Sequence, residues 1–149
     1  MKLNLGCGDK PLEGFENLDK LTGWNWESGL SYPDVSIEAI TISHSLMYVP
    51  ASFYVYIMME LYRVLLPGGV LRITEDATDD PKSERFNGHP EAVSLTRESS
   101  LKNLMRFIGF TNAKSCRADS THWKDASLLQ DFHGGRPKVF FIEGIKSVL

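Results

Sequence analysis

The residues in this chain best equipped for chemistry are few. Near the start, Lys2-Leu-Asn-Leu-Gly-Cys-Gly-Asp9 passes from an apolar extended run (Met1, Leu3, Leu5) straight into Gly6-Cys7-Gly8. Only glycine lets a backbone press that closely on a ligand, and the end of a central strand is where loop N–H groups are expected to be on offer. An acid, Asp19, closes a second extended run, Phe15-Glu-Asn-Leu-Asp19. His44 ends a third such run, while Asp76 and His89 lie in a polar stretch, and both side-chain types can take or hold a proton. A dinucleotide fingerprint needs a third glycine where Pro11 stands, and the Gly-Lys-Ser/Thr of a phosphate-binding loop is absent. Cys7 and Cys116 have neither the number nor the spacing of a disulfide framework. Four scattered histidines show no paired ligand spacing, so no metal site is expected. Cys7, with no histidine near it in sequence, reads as a small residue that fits and not as a nucleophile.

The elements that must position these residues follow an α/β pattern. Only six residues, 9–14, separate the first two extended runs, and Pro11 and Gly14 argue against a helix between them. A parallel crossover ordinarily takes a dozen residues or more and a helix, so the first connection is reduced. Trp24-Asn-Trp26 alternates like a short third strand, and residues 38–44 alternate Ile40 and Ile42 as the strand beside the first. Pro50 suits the start of a helix running to about Leu66, with Phe53, Ile57, Leu61 and Val64 facing the sheet. Pro67-Gly-Gly69 stops it, and residues 70–75 resume as strand. Polar residues 76–90 form a long loop, for whose acids Asp76, Asp79 and Asp80 the plain reading is solvation. Thr96 can cap a helix carrying Leu101, Leu104, Met105 and Ile108 and ended by Gly109. A strand over 110–117, a second loop over 118–137, with His122 and His133 solvated, and a strand over 138–146 complete an antiparallel C-terminal hairpin.

The chain's 149 residues, 42% hydrophobic and 23% charged, read as one domain over 1–149. A net charge of −3 gives no general attraction to nucleic acid or anionic membrane. No apolar run is long enough to span a bilayer and no charged-then-apolar leader opens the chain, so a cytoplasmic location is expected.

Asn4-Leu-Gly-Cys-Gly8 with Asp19 resembles motif I and the ribose-binding acid of the S-adenosylmethionine-dependent methyltransferases with the seven-stranded sheet. Tyr32-Pro-Asp34 leading into Ala39-Ile-Thr-Ile-Ser-His44 is similar to the family's approach to its fourth strand, and Glu60-Leu-Tyr-Arg-Val-Leu-Leu-Pro-Gly-Gly-Val-Leu-Arg-Ile73 to its helix, turn and fifth strand. Ile108-Gly-Phe110 resembles the entry to the sixth strand, and residues 136–146 resemble the end of a small subgroup that also has a short first connection. The resemblance implies a single-domain Rossmann-like sheet, mostly parallel, and S-adenosylmethionine as cofactor. It places Asn4, Gly6, Cys7, Gly8, Asp19, Leu21, Glu27 and Ser43 on the cofactor, with Asp19 accepting from both ribose hydroxyls and Leu21 against the adenine. His44 would stand near the transferable methyl, though a half-exposed histidine at a strand end is an equal reading. His44, Asp76 and His89 are the candidate bases.

Three departures stand out: Asn4 in place of an acid, Glu27 out of register with the acid that meets the adenine amine, and Met47-Tyr48 in place of Glu-His. Trp24 and Trp26 either flank the adenine or pack in the core. Tyr54, Met58 and Tyr62 form a second helical stripe, read as a homodimer interface or as a face covered by a loop. The function implied is methyl transfer to a small-molecule or saccharide-type acceptor. The alternatives are a non-catalytic domain that keeps the fold for binding, and a nucleotide-sugar or NAD binder, which Pro11 disfavours.

Overall fold

The computed structural model describes residues 1–76, 93–94, 97–130 and 139–148. Among these residues the strands are β1 (Lys2–Leu5), β2 (Glu16–Leu18), β3 (Ile37–Ser43), β4 (Leu65–Asp76), β5 (Phe110–Cys116) and β6 (Val139–Lys146), and the helices α1 (Tyr54–Val64) and α2 (Glu98–Ile108). The six strands make one sheet in the order β2-β1-β3-β4-β6-β5. Its first four are parallel; β6 runs antiparallel to both β4 and β5. The expected architecture is therefore present: a mostly parallel single sheet, an antiparallel C-terminal pair and a first crossover without a helix.

The two faces of the sheet differ because strand side chains alternate. On one face Leu5, Ile42, Ile73 and Ile142 stand opposite one another across four strands, one row up from Leu3, Ile40 and Leu71. Helix α1 covers this face with Ile57, Leu61 and Val64, each burial contributing about 1.5–3 kcal/mol. Gly144 completes the lower row, opposite Leu71, without a side chain, since a Cβ there would lie 2.5 Å from the Met105 methyl of α2. The other face carries a polar row, Asn17–Asn4–Thr41–Arg72–Glu143–Lys114, with one member on each strand. Arg72 and Glu143, both fully buried, pair at 3.0 Å. The guanidinium also donates to the carbonyls of Arg117, Ala118 and Ser120, and Glu143 accepts from the Thr121 hydroxyl and the His122 N–H. This pair pins the chain that follows β5 onto the sheet.

Side chains replace the missing crossover helix. Asn17 Oδ1 accepts from the Leu12 N–H and from Asn4 Nδ2, both at 2.8 Å, and Asn17 Nδ2 donates to the carbonyls of Leu12 and Phe15. Asn4 Nδ2 donates onward to the Lys10 carbonyl at 3.2 Å. Two carboxamides thus satisfy a loop that helical hydrogen bonds would otherwise have organised.

Several expectations are corrected. Trp24-Asn-Trp26 is not a strand; it follows a short 3₁₀ turn at Lys20–Thr22 and runs into a second at Trp26–Ser28, which Asn25 caps by accepting from the Ser28 N–H at 3.0 Å. Helix α1 ends at Val64, not Leu66, because Pro67-Gly68-Gly69 is a bulge within β4: pairing shifts from Ile37↔Leu65 to Ala39↔Val70. The Tyr54/Met58/Tyr62 stripe is no surface. Tyr54 and Met58 are buried, the Tyr54 hydroxyl donates to the Leu46 carbonyl, and Tyr62 packs edge-on against Phe110, 5.0 Å away. Phe53, expected to face inward, is instead 37% exposed. The second loop contains a 3₁₀ turn, Ala126–Gln130. Thr96 lies outside the described residues, and α2 begins after Arg97 with no side-chain cap.

Candidate functional site

From β1 the chain crosses to β2 on one side, and from β3 it crosses to β4 on the other, so the connections diverge between β1 and β3. Ligands of open α/β sheets bind at such a point, beyond the carboxyl ends of the strands. A cleft of about 240 Å³ opens there, walled by residues 6–10 after β1, by Asp19 after β2 and by Ser43, His44 and Ser45 at the end of β3. Asn4 and Thr41 form its floor on the polar face of the sheet.

Gly6 is required by what lies above it. Its φ is +67°, and a Cβ would sit 1.8 Å from Ser45 Oγ, so β3's exit lies directly on the loop. The loop N–H groups are not on offer as expected: those of Gly6 and Cys7 donate to the Leu18 carbonyl, at 2.7 and 3.4 Å, and that of Gly8 to Asp19 Oδ2 at 3.1 Å. The glycines therefore contribute close approach rather than donors. Asp19 also caps the turn that follows, accepting from the Leu21 N–H at 3.1 Å while the Thr22 side chain reaches back to its own N–H. Each carboxylate oxygen keeps a further lone pair for the cleft.

His44 and Asp76, far apart in sequence, meet. His44 Nδ1 lies 3.4 Å from Asp76 Oδ1, with side chains 10% and 8% exposed. The His44 backbone has φ +50°, an uncommon left-handed conformation held by its N–H on the Thr74 carbonyl at 2.8 Å. Asp76 is thus no solvated loop acid but the buried end of β4. His89, His133, Asp79 and Asp80 lie outside the described residues.

Tyr48 borders the cleft and also a second recess of about 310 Å³, lined by Trp24, Trp26, Glu27 and Phe53. The two indoles meet edge to face at 4.9 Å, and Trp24 Nε1 donates to the Gly29 carbonyl. Leu21, expected on the adenine, is 80% exposed and lines neither space. Met47, at one of the departures, is buried in the core. Burial, reinforced by the nearby Asp19 charge, pushes the Cys7 thiol up, which opposes a nucleophilic role. His122 is exposed, as expected, but tethered: its Nδ1 lies 2.9 Å from buried Glu143, with Cys116 close by. Arg72 supplies the positive charge a metal would bring to that cluster.

Sequence reasoning missed Thr41, Ser45 and Asn17. Ser45 and Asn17 carry no sequence signal, because their roles depend on which strands become neighbours. Thr41, a hydroxyl among Ile40 and Ile42, was a polar residue on a strand that register alone could aim at the cleft.

Neither any protein-family model nor any curated protein matches this sequence. Solved structures match its fold. An S-adenosylmethionine-dependent methyltransferase from Archaeoglobus fulgidus superposes with TM-score 0.67 at 15% identity, covering 97% of this chain and 85% of that one. YcgJ from Bacillus subtilis gives 0.65 at 15% identity over 98% and 91% of the two chains. The [4+2]-cyclase SpnF gives 0.61 at 16% identity over 99% and 74%. The chain has the fold of the Rossmann-like methyltransferases.

Proposed function

We propose that this chain, folded as the methyltransferases are, binds S-adenosylmethionine and transfers a methyl group to a small-molecule or saccharide-type acceptor. The observation that carries the reading is the cleft at the β1/β3 divergence, where Gly6, Asp19 and His44 converge and which shares Tyr48 with an indole-lined recess. The cofactor supplies a methyl on a sulfonium, already activated for in-line displacement.

The residues present fit such a ligand. Gly6 presents bare backbone, Asp19 has lone pairs left for a ribose diol, and the recess between Trp24, Trp26 and Phe53 suits a purine, with Glu27 at its edge for an exocyclic amine. Asn4 reaches the cleft from its floor, and Ser43 and Cys7 from its walls. His44, oriented by Asp76, is the group placed to take a proton from a hydroxyl acceptor. His89 joins the candidate bases from outside the described residues. Calorimetric titration with S-adenosylhomocysteine tests the reading. Binding is expected, weakened tenfold or more by Asp19→Ala, about the value of a charge-assisted hydrogen bond. Absence of binding at millimolar ligand would overturn it in favour of a fold kept for protein binding.

A further inference from the structure

Three side chains that line no part of the cleft meet on the polar face of the sheet, on its β6–β5 side. Cys116 closes β5, and the register sets Glu143 of β6 opposite Lys114, two residues earlier, so that Cys116 and Glu143 project from the same face. His122 comes from the segment after β5 and hangs on the same carboxylate. Its N–H donates to Glu143 Oε1 at 2.6 Å, and its ring Nδ1 lies 2.9 Å from that oxygen. One atom from each residue, a thiol sulfur, a ring nitrogen and a carboxylate oxygen, lies within 4.8 Å of the other two.

That donor set suits a borderline-soft divalent ion such as zinc. A tetrahedral zinc holds sulfur at about 2.3 Å and nitrogen or oxygen at about 2.0–2.2 Å, which puts neighbouring ligand atoms roughly 3.3–3.7 Å apart. The observed spacings, 2.9 Å for the nitrogen–oxygen pair and up to 4.8 Å within the set, bracket that range. Glu143 is the fixed member: Arg72 and the Thr121 hydroxyl hold its Oε2, at 3.0 and 2.6 Å, and leave Oε1 turned to His122. The carboxylate is therefore oriented, and its charge balanced, before any metal arrives. Burial above all, then the Glu143 charge, pushes the Cys116 thiol up, with Arg72 pulling the other way, so the bare thiol is a poor nucleophile. A bound cation reverses that, taking the sulfur as thiolate and sending its proton to solvent.

We propose that Cys116, His122 and Glu143 form a binding site for a zinc-like divalent cation, which ties β5, β6 and the 117–130 segment together. His122 is exposed, so the ion enters from solvent on its side, and three protein donors leave a fourth position to water. No ligand spacing announces the site in sequence, because its donors come from two strands and the segment after the first of them. It lies apart from the cofactor cleft and stands independently of the cofactor reading.

The test is titration of the chelator-treated chain with Zn²⁺ by calorimetry, and with Co²⁺, whose bond to a thiolate gives a charge-transfer absorption in the near ultraviolet. Wild type is expected to take up one equivalent of either ion and to show that absorption with cobalt. Cys116→Ser and His122→Gln are each expected to weaken zinc uptake tenfold or more, and Cys116→Ser to abolish the cobalt absorption. Zn²⁺ should raise the Tm of wild type and leave that of either variant unchanged. No saturable uptake by wild type would overturn the inference, leaving a hydrogen-bonded cluster; so would cobalt uptake without the thiolate absorption, a result that needs no variant. Uptake that both variants retain, or an absorption that survives Cys116→Ser, would overturn it by placing the metal on other donors.

Discussion

Replacing Gly6 by alanine tests the central geometry of the cleft. The new Cβ would lie 1.8 Å from Ser45 Oγ and 2.6 Å from Ser45 Cβ, at a residue whose φ is +67°. The left-handed conformation costs a non-glycine residue about 1–2 kcal/mol, and forcing a methyl into a filled site adds about 1–3 kcal/mol. The sum is about 2–5 kcal/mol, on the order of 5–15 °C in Tm for a domain of this size. Gly8 separates the two contributions. Its φ is +53° with nothing within 4 Å of a built Cβ, so Gly8→Ala should show the conformational cost alone, about 1–2 kcal/mol. Urea unfolding of Gly6→Ala, Gly8→Ala, Ser45→Gly and Gly6→Ala/Ser45→Gly completes a cycle. Removing the Ser45 side chain should recover the steric part, a coupling of about 1–3 kcal/mol, and leave the conformational part. A Gly6→Ala variant no less stable than Gly8→Ala, or additivity in the cycle, would refute the packing of β3's exit on the glycine loop.

Arg72→Met should cost about 3–5 kcal/mol in urea unfolding, because it strands the fully buried Glu143 carboxylate; Arg72→Met/Glu143→Leu should recover much of that. Limited proteolysis of the single variant should cut first between residues 117 and 130, the segment the pair holds down. Arg63 holds the Glu60 carboxyl below its ordinary range, chiefly by hydrogen bonding, against an opposing contribution from burial. A depressed folded-state pKa stabilises above the unfolded value, about 4.5, and that contribution vanishes as pH falls through the folded one. Glu60→Gln should therefore be less stable than wild type near neutrality, with the gap closing below about pH 4 in acid-dependent unfolding.

Legibility in the sequence followed how local each signal was. The β3–α1–β4 unit could be read because helical spacing and Pro67-Gly-Gly69 lie within one stretch, and the helix-free crossover because Pro11 and Gly14 sit inside it. Trp24-Asn-Trp26 misled because its alternation imitates a strand, whereas Asn25's side chain competes for the backbone and caps a turn. The Tyr54/Met58 stripe had a correct helical angle, but periodicity does not say what covers a face; here the second helix and the Leu46 carbonyl do. His44 and Asp76 were named separately, and only the pairing of β3 with β4 brings them together. Arg72 and Glu143 did leave a trace unused: opposite charges inside two apolar strands invite each other.

Placing β6 between β4 and β5 bears on how the molecule is made. Synthesis delivers β5 before β6, yet the β5 pairing runs through β6, the strand whose other edge joins β4. Among the described strands, then, β5 has no place on the sheet until the last one emerges from the ribosome. Until that moment α2 and β5 are tethered to a four-stranded nascent sheet with an open edge at β4, where Arg72 waits for its carboxylate. Such an edge is where a partly made chain is exposed to wrong pairing, so the vulnerable interval in the making of this sheet runs from the emergence of β4 to that of β6.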